Sequence, residues 1–319
     1  MKHIAIIGAG GIGQRHAQSC ATLPAADYHL HLVEPNADSQ ARTAALLGDR
    51  AAVTWYAQLA DLPQAPDIAV VATRADIRAP IVRALVDEKA ARSLILEKVL
   101  FQRIADFATI ARVLDEGRVA TWVNCPRRMW PAYRQLRDRL KGEAIASIEM
   151  LGAHWDIGCN AIHFIDLIAF LTGTGTLVVD DIRLGDVRPA KRPGMLHIEG
   201  IVSGHVVRGA APMPFSVASI PAHSGPQTIR IALAQGTVEV VEDAAVMSIT
   251  WPDGTRSTAP IPFQSQLTAS AVQSIATTGD CDLASYAESR ALHETFIAAM
   301  LTALHRAGKC TDSDVCPIT

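Results

Sequence analysis

The run Gly8-Ala9-Gly10-Gly11-Ile12-Gly13 is a G-x-G-x-x-G placed between an apolar strand pattern and a helical one. In that setting the first glycine permits a tight turn. The second lets the backbone approach a pyrophosphate, and the third lets helix and strand pack closely. The amides of Gly11, Ile12 and Gly13 then offer N–H groups and the positive end of a helix dipole to the phosphates. Glu34 closes the next strand pattern, about twenty residues further on. A carboxylate there hydrogen-bonds ribose hydroxyls and repels a 2′-phosphate, so NAD(H) is expected over NADP(H). Arg15 and Arg74 are the cations that could rescue a 2′-phosphate.

Three further groups suit chemistry. Glu97-Lys98 follows an apolar strand directly, where ligands of open α/β sheets bind. Lys98 could reach both a nicotinamide and a substrate hydroxyl, while Glu97 could hold the lysine or contact the cofactor. Asn160, His163 and Asp166 recur every third residue in D-I-G-C-N-A-I-H-F-I-D, which places them on one helix face. A histidine beside a carboxylate suits a proton relay, and His titrates near neutral pH. The alternative reading makes Asn160 a helix cap and His163 a core residue. Arg127, Arg128, Trp130 and Tyr133 follow the last strand of the first half. Arg128 either binds a substrate anion or the nicotinamide amide, or makes an interdomain salt bridge.

Positioning these groups requires two kinds of architecture. In the first part, strand patterns at Lys2–Ile7, 29–33, 51–55, 67–73, Ser93–Leu96 and Ala120–Val123 alternate with helical patterns at 14–22, Ala37–Leu47, 79–88 and 104–116. That alternation predicts a doubly wound parallel sheet, covered on both faces, in a Rossmann domain spanning 1–123. After Asn124 the rhythm changes. Strand-like segments dominate 177–251, with a hairpin turn at Asp253-Gly254 and helices at 133–140, 160–171, 264–277 and 285–306. This predicts a second domain, 124–319, of α+β type with a large, mostly antiparallel open sheet.

Composition excludes other classes. The 319 residues are 49% hydrophobic and 19% charged, with a net charge of -3 and only 5% aromatics. A disordered chain or a nucleic-acid-binding surface does not fit. No uncharged stretch supplies the roughly 20 apolar residues of a membrane span. Met1-Lys2-His3 and the apolar run after it resemble a short signal peptide, but Gln14-Arg15-His16 interrupts it without a cleavage site. A cytoplasmic protein is expected. The six cysteines lack C-x-x-C spacing and read as reduced thiols, with no metal site expected.

Taken together, these residues resemble the Gfo/Idh/MocA oxidoreductase family over most of the chain. The matching pieces are the I-I-G-A-G-G-I-G-Q-R-H start, D-I-A-V-V-A-T ending at Thr73, Glu97-Lys98 in the family's E-K-P position, R-x-x-P at Arg128, and H-x-x-D-L at His163. The C-N-A-I-H-F-I-D-L stretch and the C-P-I-T end are similar to a subgroup encoded beside nonulosonic-acid or other surface-sugar genes. Val99 replaces the family proline, Arg74 another proline, and Arg78 stands where His is common. Cys159 occupies the position of a frequent aspartate, so either Asp156 or Asn160 would serve His163.

The resemblance implies a dehydrogenase or reductase acting on a CH–OH or keto carbon of a sugar-like substrate with NAD, NADP being the lesser alternative. It also adds Thr73 and Arg74 to the cofactor-contacting set. Lys98 and His163 would handle the hydroxyl and its proton, with Asp166 or Asn160 orienting His163. Two alternatives are a glycosidase using transient oxidation and elimination, and a non-catalytic NAD-binding sensor. A homodimer or homotetramer is expected, because strands carrying Ile198, Ile201, Val202, Ile231, Leu233 and Val238 would leave one apolar sheet face for a second copy.

Overall fold

A computed structural model describes residues 1–48, 53–173, 176–207 and 211–319. Two compact units divide the chain. One comprises Met1–Phe101, Ala105–Pro126 and Phe263–Ala287. The other comprises Gln102–Ile104, Arg127–Pro262 and Glu288–Thr319.

The first unit is a sheet of β1 (Lys2–Ile7), β2 (Tyr28–Val33), β3 (Val53–Tyr56), β4 (Ile68–Val71), β5 (Ser93–Leu96) and β6 (Ala120–Val123), all parallel. The strand expected at 51–55 begins at Val53; positions 51 and 52 lie outside the described residues. The spatial order is β6-β5-β4-β1-β2-β3, so the winding reverses at β1. Ile4, Ala5, Ile6, Val70 and Val71 are fully buried, as a sheet with both faces covered requires. Helices α1 (Gly11–Cys20), α2 (Ala37–Leu47), α3 (Ala75–Asp87) and α4 (Ile104–Gly117) connect the strands. Helix α1 starts earlier than the expected 14–22, because the last glycines of the loop already turn helically. Helix α3 begins at Ala75 and runs through Pro80, a turn before the expected start.

The segment Phe263–Ala287 departs from the sequence-based boundary at 123/124 by folding with the first unit. Its helix α7 (Gln264–Thr278) packs on α1. Ala269 donates its backbone N–H to Ser19 Oγ at 2.9 Å, and Thr268 Oγ1 lies 2.7 Å from His16 Nδ1. Strand β15 (Ala284–Ser285) then pairs antiparallel with β6. The α1–α7 partners lie some 250 residues apart in sequence and the β6–β15 partners some 160, so no local pattern announces them.

The second unit holds α5 (Pro131–Arg139), β7 (Ile145–Gly152), α6 (Ile157–Thr172), β8 (Leu177–Pro189), β9 (Leu196–Val206), β10 (Met213–Ser219), β11 (Gln227–Leu233), β12 (Gly236–Asp243), β13 (Val246–Thr250) and β14 (Arg256–Pro260). Its sheet order is β14-β13-β12-β11-β7-β10-β9-β8, with only β7–β10 parallel. The hairpin at Asp253-Gly254 forms as expected: Gly254 has φ +82°, and Asp253 Oδ1 accepts from the Thr255 amide at 2.8 Å. Helix α8 (Tyr286–Arg306) contributes to this unit from Glu288 onward.

Helix α6 lies against β9, β10 and β7. Ile198, Val202, Ile231 and Val238 are fully buried and Leu233 nearly so. The apolar residues expected on an outer face therefore divide between two faces. Side chains alternate along a strand, so Ile198 and Val202 share the core side while Ile201 points the other way. Across that other face, the register aligns Ser203, Ser216, Glu149, Arg230 and Glu239 in one polar row. Arg230 Nε sits 3.2 Å from Glu239 Oε2. Among the described residues, no helix is long and apolar enough to cross a membrane.

Candidate functional site

The glycine loop turns at the carboxyl end of β1. Gly8 has φ +92°, and a Cβ on Gly13 would lie 1.9 Å from the Gly8 carbonyl oxygen. Both positions require glycine, the first for its backbone angle and the last for its contact. Gly10 and Gly11 differ: a Cβ on either would meet nothing within 4 Å, so the backbone there faces open space. Ile12 lies in the first turn of α1, whose leading amides border that space.

Glu34 reaches across the loop. Its Oε2 accepts from the Ala9 amide at 2.7 Å and its Oε1 from the Asn36 amide at 2.9 Å. Thr73, at the end of β4, packs beside Gly8, and its buried Oγ1 has no hydrogen-bond partner among the described residues. An orphaned hydroxyl, an open glycine backbone, a helix N-terminus and a ribose-type carboxylate fit a dinucleotide. Arg74, the first of the two candidate cations, pairs its guanidinium with Asp76, at 3.1 and 2.6 Å. Arg15 likewise donates to Gln18, at 2.8 Å. A Gly13→Ala variant should bind NAD(H) about tenfold more weakly or worse, because the methyl forces the loop off its carbonyl. Unchanged affinity by calorimetry would refute this.

Lys98 follows β5 and is half-buried. Glu97 beside it, expected on the lysine or the cofactor, has further partners of its own. It is 4% exposed, accepts from His16 Nε2 at 2.9 Å and accepts from Asn124 Nδ2. Burial pushes its carboxyl up, yet the hydrogen bond and charge of His16, the charge of Lys98 and the Asn124 bond together hold it below the usual range. Arg78 is buried as well. Its guanidinium donates to the carbonyls of Thr73, Val99 and, at 2.8 Å, Leu100. It thereby ties the turn after β4 to the turn carrying Lys98. Sequence reading marked Arg78 only as a departure from the family pattern. A buried cation spanning turns so distant in sequence has no local signature.

The second unit carries His163. Helix α6 is capped by Asp156, whose Oδ1 accepts from the Gly158 amide at 3.1 Å and the Ile198 amide at 2.9 Å. His197 Nδ1 lies 3.6 Å from its other oxygen. Burial raises the Asp156 carboxyl despite these partners. Asn160 donates to the Trp155 carbonyl. Asp156 and Asn160, the two candidates for an aspartate substitute, are therefore both engaged in shaping the entrance of α6. His163 itself is half-buried.

Asp166 is paired elsewhere in the structure. Both of its oxygens are taken by Arg128, Oδ2 by Nε at 2.9 Å and Oδ1 by Nη2 at 2.7 Å. Asp166 is fully buried and Arg128 is 7% exposed. The i, i+3 spacing brings Asp166 to the helix face of His163, but a bidentate guanidinium is the better partner for a buried carboxylate. Arg128 is thus held in a bidentate ion pair that leaves part of its guanidinium fork over for other acceptors. Burial raises the Asp166 carboxyl while the Arg128 charge opposes that shift.

A neighbouring cluster escaped the sequence reading. Glu242 on β12 accepts from Arg127, at 3.3 and 3.0 Å, and also from Tyr133 and Gln227. Arg127 in turn stacks over Phe164, 4.2 Å from the ring centroid and next in sequence to His163. Burial and the Glu242 charge push the Tyr133 hydroxyl up, so it remains a donor. This cluster braces α5, α6 and the sheet around the His163 turn.

The first unit, with its switch point at β1 and glycine loop, is a dinucleotide-binding Rossmann domain, followed in the chain by an open-sheet α+β unit. Residues 2–125 match the model of the Gfo/Idh/MocA oxidoreductase family, described as having an NAD-binding Rossmann fold. No curated protein matches the sequence significantly. Among solved structures, an oxidoreductase from Agrobacterium radiobacter, in complex with NAD+, L-tartaric acid and magnesium, is similar with TM-score 0.74 and 14% identity, over 98% of both chains. A UDP-N-acetylglucosamine 3-dehydrogenase from Acidithiobacillus ferrooxidans has TM-score 0.68 and 15% identity, covering 93% of this chain and 96% of its own. The transcriptional regulator Gal80p from Kluyveromyces lactis has TM-score 0.73 and 15% identity, covering 98% and 91% respectively.

Proposed function

We propose that this protein is an NAD(H)-dependent oxidoreductase acting on a hydroxyl or keto carbon of a sugar-like substrate. The observation that carries the reading is the open backbone at Gly10 and Gly11, bordered by the Glu34 carboxylate and the orphaned Thr73 hydroxyl. Bound NAD supplies the hydride acceptor or donor, and that chemistry belongs to the cofactor. The amides of Gly10, Gly11, Ile12 and Gly13 would hold the pyrophosphate, Glu34 the ribose hydroxyls, and Thr73 a cofactor oxygen. Lys98 would hydrogen-bond the substrate oxygen and stabilise charge that develops on it. His163 would take or return the hydroxyl proton. Arg78 and Glu97 hold the lysine turn, and the Arg128–Asp166 pair holds the histidine helix. The sugar-like substrate class rests on the family resemblance and on the nucleotide-sugar dehydrogenase among the similar structures.

Because Glu34 would face a 2′-phosphate with no free cation at Arg15 or Arg74, NAD(H) should bind at least about tenfold more tightly than NADP(H), by about 1.4 kcal/mol. Calorimetry with both cofactors tests this, and equal affinities would contradict it. A screen of sugar and nucleotide-sugar alcohols for NADH absorbance tests the reaction. Released aglycone without net NADH would favour transient oxidation and elimination. Tight NAD binding with no turnover on any alcohol would favour a sensor; one of the similar structures is a transcriptional regulator.

A further inference from the structure

Thr268 lies in α7, far from the glycine, E-K and His-x-x-Asp motifs, yet it ends a buried polar chain that begins beside Lys98. Glu97 Oε1 accepts from His16 Nε2 at 2.9 Å, and His16 Nδ1 meets Thr268 Oγ1 at 2.7 Å. Asn124, at the end of β6, donates to the same Glu97 oxygen. Exposure is 0% for His16, 4% for Glu97, 5% for Asn124 and 4% for Thr268. Water therefore cannot substitute for any link without rearrangement.

The chemistry of the chain is constrained from one end. An ionised carboxylate only accepts hydrogen bonds, so His16 Nε2 carries the proton shared with Glu97. The other ring nitrogen then needs a partner that serves it in either protonation state. A hydroxyl does so, donating to a bare Nδ1 or accepting from a protonated one. Valine, nearly isosteric with threonine, does neither. His16 also sits one turn into α1, directly behind the phosphate-facing amides, while Glu97 adjoins Lys98. One ring thus joins the helix that would carry the pyrophosphate to the turn that carries the lysine.

We propose that Thr268, His16 and Glu97 form a positioning relay that fixes the Glu97 carboxylate beside Lys98 and so sets how the lysine is presented. The inference rests on the dehydrogenase reading only for its kinetic consequence, because the relay itself has a readout without turnover. Thr268 acts on Glu97 through His16, so it is a positioning residue.

The test compares Thr268→Val with Thr268→Ser in the full-length protein. Histidine 15N and lysine 13C resonances are recorded without cofactor, with Lys98 assigned by its loss in Lys98→Met. NADH affinity and steady-state kinetics are measured alongside. In Thr268→Val, the His16 Nδ1 and Lys98 Cε resonances should both move, kcat should fall about tenfold, and NADH affinity should stay within about twofold. Thr268→Ser, which keeps the hydroxyl, should match the wild type in every readout. Unmoved Lys98 resonances in Thr268→Val would overturn the relay, as would kcat at the wild-type value in a folded variant. A wild-type protein without turnover on any alcohol would sink the dehydrogenase reading instead, and the resonances alone would then decide the relay.

Discussion

Replacing Lys98 by methionine is expected to lower turnover about a thousandfold or more while leaving NAD(H) affinity within about threefold of wild type. Such a fall corresponds to about 4 kcal/mol of lost transition-state stabilisation. Methionine keeps the length and the apolar stem of lysine but removes the ammonium. What disappears is the donor that would polarise a carbonyl or stabilise a forming alkoxide, a contribution concentrated in the transition state. Cofactor affinity should survive because the glycine loop, Glu34 and Thr73 are untouched. The turn should survive too, since Arg78 grips it through the Val99 and Leu100 carbonyls, not through the lysine side chain. Stopped-flow and calorimetric measurements on the same preparation separate the two quantities. Full activity in the variant would remove Lys98 from the mechanism, and loss of NAD(H) binding would recast it as a cofactor ligand.

Asp166→Ala should destabilise the protein by about 3–5 kcal/mol, as expected when one partner of a buried pair is removed. The side chains of Arg128 and Asp166 are 8% and 1% exposed, so the guanidinium would be left as an uncompensated charge away from water. The remaining acid nearby is Glu288, 3.9 Å from Arg128 Nη1 and itself half-exposed, which makes it a weak substitute. The raised carboxyl of Asp166 is informative here, since burial outweighs the attraction of Arg128. The pair therefore contributes less than its geometry suggests, and breaking it costs more than removing it. The double variant Arg128→Met with Asp166→Leu should regain most of the loss. Urea unfolding at neutral pH measures both. A single-variant loss under about 1 kcal/mol would show that Arg128 finds water or another partner.

Much of the cofactor side was legible in the residue order. Gly8, Gly10, Gly13 and Glu34 act through local geometry: a turn, an open backbone, a close contact and a strand end. Each is encoded within a single βαβ unit, and the structure places all of them at one loop. The alternation of apolar strands and helices likewise announced the parallel sheet, because strand and helix periodicities are local. The positions assigned to the substrate side were less legible. Asn160, His163 and Asp166 all lie in α6, but their spacing says nothing about what else competes for a carboxylate or an amide. Arg128 claimed Asp166, and the Trp155 carbonyl claimed Asn160.

By itself, then, the sequence determined the class of fold, the dinucleotide loop, the Glu34 carboxylate after the second strand and the presence of Lys98 at a strand end. Only the tertiary structure decided which polar groups would be spent on holding that site together. Glu97 went to Asn124 and to His16, which in turn meets Thr268. Arg78 went to three backbone carbonyls, Arg127 to Glu242, and Phe263–Ala287 to the first unit. The physical reason is the same in each case. A buried charge or amide must be satisfied by whatever the fold brings within hydrogen-bond distance, and those partners lie too far along the chain for any local pattern to encode.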